Sequence, residues 1–103
     1  MSQEKVTVIA YIEVKPGTEA SFMEHAAEVI AATRAEAACM NYDLHQAPGA
    51  THKFVFYENW TSMDGLSQHA ASAHIQRFRN NIADLITKPT EVTVWKMVSE
   101  PAS

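Results

Sequence analysis

Apolar residues recur at every second position from Lys5 to Val14. Val6, Val8, Ala10, Ile12 and Val14 share one face of a predicted strand, and the opposite face, Thr7, Ile9, Tyr11 and Glu13, is itself half apolar. A strand apolar on both sides needs a cover on each, and one cover can come from another chain. Pro16 and Gly17 stop this strand. From Thr18 to Glu36 the period changes to that of a helix. Phe22, Ala26, Val29, Ile30, Thr33 and Ala37 form one stripe, Glu24 and Glu28 point away, and Glu36 sits at the stripe's edge. Thr18 suits the N-cap, and Glu19 suits the positive end of the helix dipole.

Cys39 to Gln46 and His52 to Trp60 read as two strands joined through Pro48-Gly49, a dipeptide fitted to the centre of a type II turn. That turn sets His45 opposite His52, Asp43 opposite Phe54 and Tyr42 opposite Val55. Met40, Tyr42, Leu44, Val55 and Tyr57 then share one face, and Cys39, Asn41, Asp43, Phe54, Phe56, Glu58 and Trp60 the other. A bulge would exchange these faces beyond it.

Thr61 to Asp64 has the T-x-x-D form of a helix start. Leu66, Ala70 and Ala73 make one helical stripe with His69 at its edge, and Ile75, Phe78, Ile82, Leu85 and Ile86 make a second. The stripes are out of phase by roughly 150° at 100° per residue. One straight helix would turn one of them into water, so a break is expected near Ser72, which can cap the second segment. Lys88 and Pro89 end the helix. Val92, Val94 and Val98 alternate with Thr93, Trp95 and Met97 in a last strand apolar on both sides, and residues 99–103 read as a loose tail.

The order β-α-β-β-α-β predicts one α+β domain over residues 1–103 with the ferredoxin-like split βαβ arrangement. Both helices cover one face of the sheet. The other face carries large apolar side chains, each costing roughly 1.5–3 kcal/mol if left in water, so a homodimer closed sheet to sheet is expected.

Composition narrows the function classes. A formal charge of −4 over 103 residues offers no basic surface for nucleic acid. No apolar run approaches the roughly 20 residues that a bilayer requires, so no membrane partner is expected. Cys39 is the only cysteine, and Met1 is followed by polar residues rather than an apolar leader, which together predict a soluble cytoplasmic protein.

At this point the chain resembles the antibiotic biosynthesis monooxygenase family. The residues that carry the resemblance are VTVIAYIEVKPG, TRAEAACMNYDL, YENW and QHAASAHIQRF, in this order over almost the whole length. The resemblance implies a dimeric α+β barrel, with a pocket enclosed between each sheet and its own helices. It also implies oxygen insertion into electron-rich phenolic or quinol substrates without metal, flavin or haem. Three positions depart from the family's pattern. Ala37-Ala38 stand where many members have Pro-Gly, Phe56 stands where anthrone-oxidising members have Asn, and the first strand lacks the Asn of the haem-degrading branch.

Candidate chemistry gathers between Phe54 and Phe78. His69 and His74 are candidate bases, since imidazole with an ordinary pKa of about 6.5 suits removal of a phenolic proton. Tyr42 or Asn41 can hydrogen-bond a substrate oxygen, and Trp60, Phe78 and Leu66 can line a dry wall for a small aromatic or quinone-like molecule. No metal or other cofactor is expected. On a regular helix His69 and His74 lie about 140° apart and cannot clamp one ion, and His45 with His52 at a hairpin tip would make a weak site. Two other functions fit the same pocket: a non-oxidative isomerase of a small oxygenated metabolite, and a non-catalytic small-molecule-binding or stress-response barrel.

Overall fold

The computed structural model describes residues 4–100. It contains β1 (Val6–Glu13), α1 (Glu19–Arg34), β2 (Cys39–Ala47), β3 (Ala50–Trp60), α2 (Met63–Ala70), α3 (Ala73–Ile82) and β4 (Glu91–Trp95). The strands form one antiparallel sheet in the order β2-β3-β1-β4, which is the predicted α+β, ferredoxin-like arrangement. Of the expected tail, residues 99 and 100 have no helix or strand, and 101–103 lie outside the described residues.

The alternation in β1 carries directly into packing. Val6, Val8, Ala10, Ile12 and Val14 are all buried, and α1 lays Phe22, Ala26, Val29 and Thr33 over the sheet. The Phe22 ring meets Phe54 at 4.6 Å and Phe78 at 5.9 Å, joining α1 to β3 and α3. Thr18 occupies the N-cap position, but its hydroxyl donates to the Lys15 carbonyl and does not cap. Instead the Glu19 carboxylate reaches back to accept from the Gly17 N–H at 2.7 Å.

The second helical stretch divides where the two stripes lose phase. Ser72 caps α3, its Oγ accepting from the Ile75 N–H at 3.3 Å and donating to the His69 carbonyl at 2.7 Å. The cap of α2 falls on Ser62 rather than Thr61, with Ser62 Oγ accepting from the Gly65 N–H at 3.1 Å. α3 ends at Ile82, well before Lys88-Pro89. Leu85 and Ile86 still pack on the core, but from a turn whose Ile86 bridges to Val14. β4 is shorter than its pattern, and Met97 and Val98 lie beyond it.

The hairpin corrects the expected register. Pro48-Gly49 does close Ala47 onto Ala50, but among the described residues only Gly17 has a positive φ, of 94°, so the turn is not type II. Turns without the primed geometry splay the strands they join, and here the ladder slips between Gln46 and Ala47. Tyr42 therefore pairs with Glu58 instead of Val55, Asp43 with Tyr57 instead of Phe54, and His45 with Val55 instead of His52. The slip exchanges the faces of β2. Tyr42 and Leu44 now join Phe54, Phe56 and Glu58 under the helices, while Asn41 and Asp43 turn to the open face. The aromatic gain is concrete, since Tyr42 stacks on Phe56 at 4.7 Å.

The open face of the sheet carries Ile9, Tyr11, Val55, Tyr57 and Trp95, of which Tyr11, Tyr57 and Trp95 are exposed. Among the described residues, no helix is long and apolar enough to cross a membrane.

Candidate active site

Between the sheet and the α2–α3 pair lies a cavity of about 500 Å³. Val8, Ala10 and Ile12 form its floor with Tyr42, Phe56 and Glu58, while Leu66, His69, Ile75 and Phe78 form its roof. Its mouth opens beside β4, at Arg79, Thr90 and Val92. There Val92 and Val94 pair with Ala10 and Val8 and so face the cavity side, yet they are 55% and 52% exposed.

Two buried titratable groups stand in the mostly apolar lining, Glu58 on the floor and His69 on the roof. Glu58 is 4% exposed and accepts one hydrogen bond, from the Trp60 indole N–H at 2.9 Å. Burial pushes its carboxyl up to about 7; the indole bond opposes this and the charge of Glu36 adds to it. His69 is 5% exposed, and its Nδ1 lies 2.8 Å from Glu36 Oε2. Burial holds the imidazole below its ordinary value against the pull of Glu36, with His74 and Arg79 lowering it further. The ring is thus neutral near pH 7. A carboxylate oxygen accepts, so Nδ1 is the donor and Nε2 carries the lone pair. Tyr42 also lines the wall, and burial raises its phenol far above the usual range, so it serves as a neutral hydroxyl.

Local chemistry of the chain explains why these groups meet. Glu36 sits in the turn after α1, with its N–H bonded to the Thr33 carbonyl and its own carbonyl accepting from Cys39. Arg34 fastens that turn to β2 through the Tyr42 carbonyl at 3.2 Å and Asp43 at 2.9 Å. α2 lies directly on the same turn, because Gly65 has no side chain; a Cβ there would overlap Ala38 Cβ. One helical turn later on the same buried face comes His69. The break at Ser72 then rotates α3 so that His74 Nε2 reaches the same Glu36 oxygen, at 2.7 Å.

The predicted residues therefore separate. His69, Tyr42, Leu66 and Phe78 line the cavity. His74 lines a smaller groove between α1 and α3 and shares the Glu36 carboxylate oxygen with His69. Trp60 is fully buried behind the wall, 4.6 Å from the His69 ring and edge-on to Tyr42, so it supports the wall rather than lining it. Asn41, a predicted substrate contact, is on the opposite face, bonded to Asn59 and Asp43, because the slipped register carries it there. Sequence reasoning passes over Glu58; it singles out Glu36 in the first helix but assigns it no specific role. A carboxyl alternating with Phe54, Phe56 and Trp60 was the available signal for Glu58. For Glu36 there was only a position at the edge of a stripe.

Known proteins share this architecture. The sequence model of the antibiotic biosynthesis monooxygenase family matches residues 5–81. Two relatives carry the name "putative monooxygenase". Rv0793 of Mycobacterium tuberculosis is 30% identical over 98 residues, 95% of this chain and 96% of that protein. Its solved structure superposes with a TM-score of 0.88 over 96% of this chain and 100% of that one. YcnE of Bacillus subtilis is 31% identical over 87 residues, 84% of this chain and 92% of that protein. The uncharacterized protein sll1783 of Synechocystis is 25% identical over 96 residues; the match takes in 93% of this chain and spans 65% of that relative's length. On the extent of the family match and on these relatives, the chain belongs to the antibiotic biosynthesis monooxygenase family.

Proposed function

We propose that the protein is a monooxygenase that works without an organic cofactor, oxidising a small anthrone, quinol or related phenolic in this cavity, with His69 as the base. The observation that carries the reading is the pairing of His69 with Glu36 behind the wall. One imidazole nitrogen is committed to a carboxylate, and the other has no hydrogen-bond partner among the described residues.

Dioxygen is a triplet and reacts slowly with closed-shell molecules unless the substrate is an anion able to release one electron. For an anthrone, whose reacting carbon bears two hydrogens, His69 Nε2 removes the first, and Glu36 stabilises the imidazolium that forms. Dioxygen takes an electron from the anion, and the radical pair joins as a carbon-bound peroxide inside the mostly apolar chamber, whose mouth the second copy of the chain would cover. Glu58, in its acid form, protonates the outer oxygen. Its carboxylate then removes the second hydrogen as hydroxide leaves, and the His69 imidazolium converts that hydroxide to water. One oxygen atom enters the product as a carbonyl, the other departs as water, and both side chains regain their starting states.

The active form in this reading is a homodimer. The large side chains of Tyr11, Tyr57 and Trp95 exposed on the open face, and the bare Val92–Val94 edge, support it.

Oxygen uptake by metal-free protein across a panel of reduced quinones and anthrones tests the proposal. Uptake above buffer autoxidation is expected with at least one substrate; none across the panel would sink it. An acid and a base lining one cavity also suit a simple proton shift, as in an isomerase, and product formation under strict anaerobiosis would favour that second reading.

A further inference from the structure

We propose that Glu36, His69 and His74 form a binding site for one divalent transition-metal ion of the Zn²⁺ and Co²⁺ class. On a regular helix the two histidines diverge, but the break at Ser72 removes that obstacle. The candidate ligand atoms of the three residues all lie within 4.8 Å of one another. His69 Nδ1 and His74 Nε2 stand 2.8 Å and 2.7 Å from the same carboxylate oxygen. Ion–ligand bonds of about 2.0–2.1 Å in a tetrahedron set ligand atoms roughly 3.3 Å apart. The two nitrogen–oxygen separations therefore need to open by about half an ångström, while the two nitrogens, within 4.8 Å of each other, settle to the same spacing around the ion.

The surroundings suit an ion as well. The side chains of His69, Glu36 and His74 are 6%, 18% and 22% exposed, enough cover to hold an ion and enough opening for one to enter. His74 lines the groove between α1 and α3, which offers the route and a place for water in the fourth position. Two imidazoles and one carboxylate select borderline ions, whereas Mg²⁺ and Ca²⁺ prefer all-oxygen sites. The ligands come from three separate segments held by the close contact of Gly65 with Ala38 and by the Ser72 cap, so the site is formed before the ion arrives.

Each imidazole would bind as a neutral ligand with its proton on the nitrogen turned away from Glu36. Bound metal and the lone pair on His69 Nε2 are therefore mutually exclusive. Metal binding itself does not depend on the oxygenase reading and is measured without turnover.

The test is calorimetric titration of ZnCl₂ into the full chain after chelator treatment, with Co²⁺ as a spectroscopic probe. One ion per chain is expected, with the strong visible bands of low-coordinate Co²⁺, and Mg²⁺ in excess should not compete. Glu36→Gln and His74→Ala should each weaken Zn²⁺ about tenfold or more, while the His45→Ala/His52→Ala double variant binds as the parent does. Absence of stoichiometric binding, or unchanged affinity in folded Glu36→Gln and His74→Ala proteins, would overturn the proposal. So would loss of binding in the His45/His52 variant. The Co²⁺ spectrum of the unaltered chain gives a reading even if one variant fails to fold.

Discussion

Glu58 is a carboxyl group buried in an apolar wall with a single donor, the Trp60 indole, and the consequences can be measured. Its pKa is raised from 4.5 to about 7. Below 4.5 both folded and unfolded chains hold the proton and folding is not penalised. As pH rises the unfolded carboxyl ionises first, so folding loses stability between about 4.5 and 7, by about 3 kcal/mol at the top of that window. Glu58→Gln removes the group that titrates. Urea unfolding should show the variant gaining on the parent by about that amount between pH 5 and pH 8; the same difference at both pH values would refute the assignment. His69 works in the opposite sense. Its folded value is lowered, so the stability it supports is present above about 6.5 and is lost as pH falls through the folded value. Removing the base by His69→Ala should cut oxygen uptake about 10²–10⁴-fold with an unchanged circular dichroism spectrum. A loss of less than tenfold would assign the base elsewhere.

The site depends at the level of elements on two helix ends and one close contact. The break before Ser72 was readable because two apolar stripes out of phase cannot both be buried by one straight helix. The contact of Gly65 with the turn at Ala38 was not readable, since it joins residues 27 positions apart in the sequence. Gly65→Ala forces a methyl group into Ala38 and should cost about 1–3 kcal/mol, or roughly 4–8 °C in melting temperature per kcal/mol for a domain near this size. Ala38→Gly in the same chain should restore most of the loss; no restoration would mean the strain lies elsewhere. The register of the hairpin was the main misjudged feature. Turn residues locate a hairpin, but the slip at Gln46/Ala47 is decided by which side chains are buried. Keeping the simple register would have turned Asn41 and Asp43 under the helices and Tyr42 outward.

The whole molecule presents an open sheet face with Tyr11, Tyr57 and Trp95 exposed and a cavity mouth edged by Val92. A second copy of the chain would cover both kinds of surface, consistent with the proposed homodimer. Light scattering on eluting protein should then give twice the chain mass of 11.4 kDa. Melting temperature should rise with protein concentration, because association stabilises the folded state by mass action. Trp95→Glu, on the open face, should shift the equilibrium toward the single chain. A concentration-independent monomer would end the dimer reading.

The sequence by itself determined the element order, the buried face of β1 and the divided second helix. Periodicity and backbone chemistry encode these locally, residue by residue. Tertiary structure alone decided which groups meet. It placed Tyr42 rather than Asn41 in the chamber and set Trp60 behind the wall. It also brought His69 and His74 onto one Glu36 carboxylate oxygen and set Glu58 and His69 on the floor and roof of the same cavity. Those outcomes follow from long-range packing, in which one strand slip and one missing side chain at Gly65 set positions that no local pattern specifies.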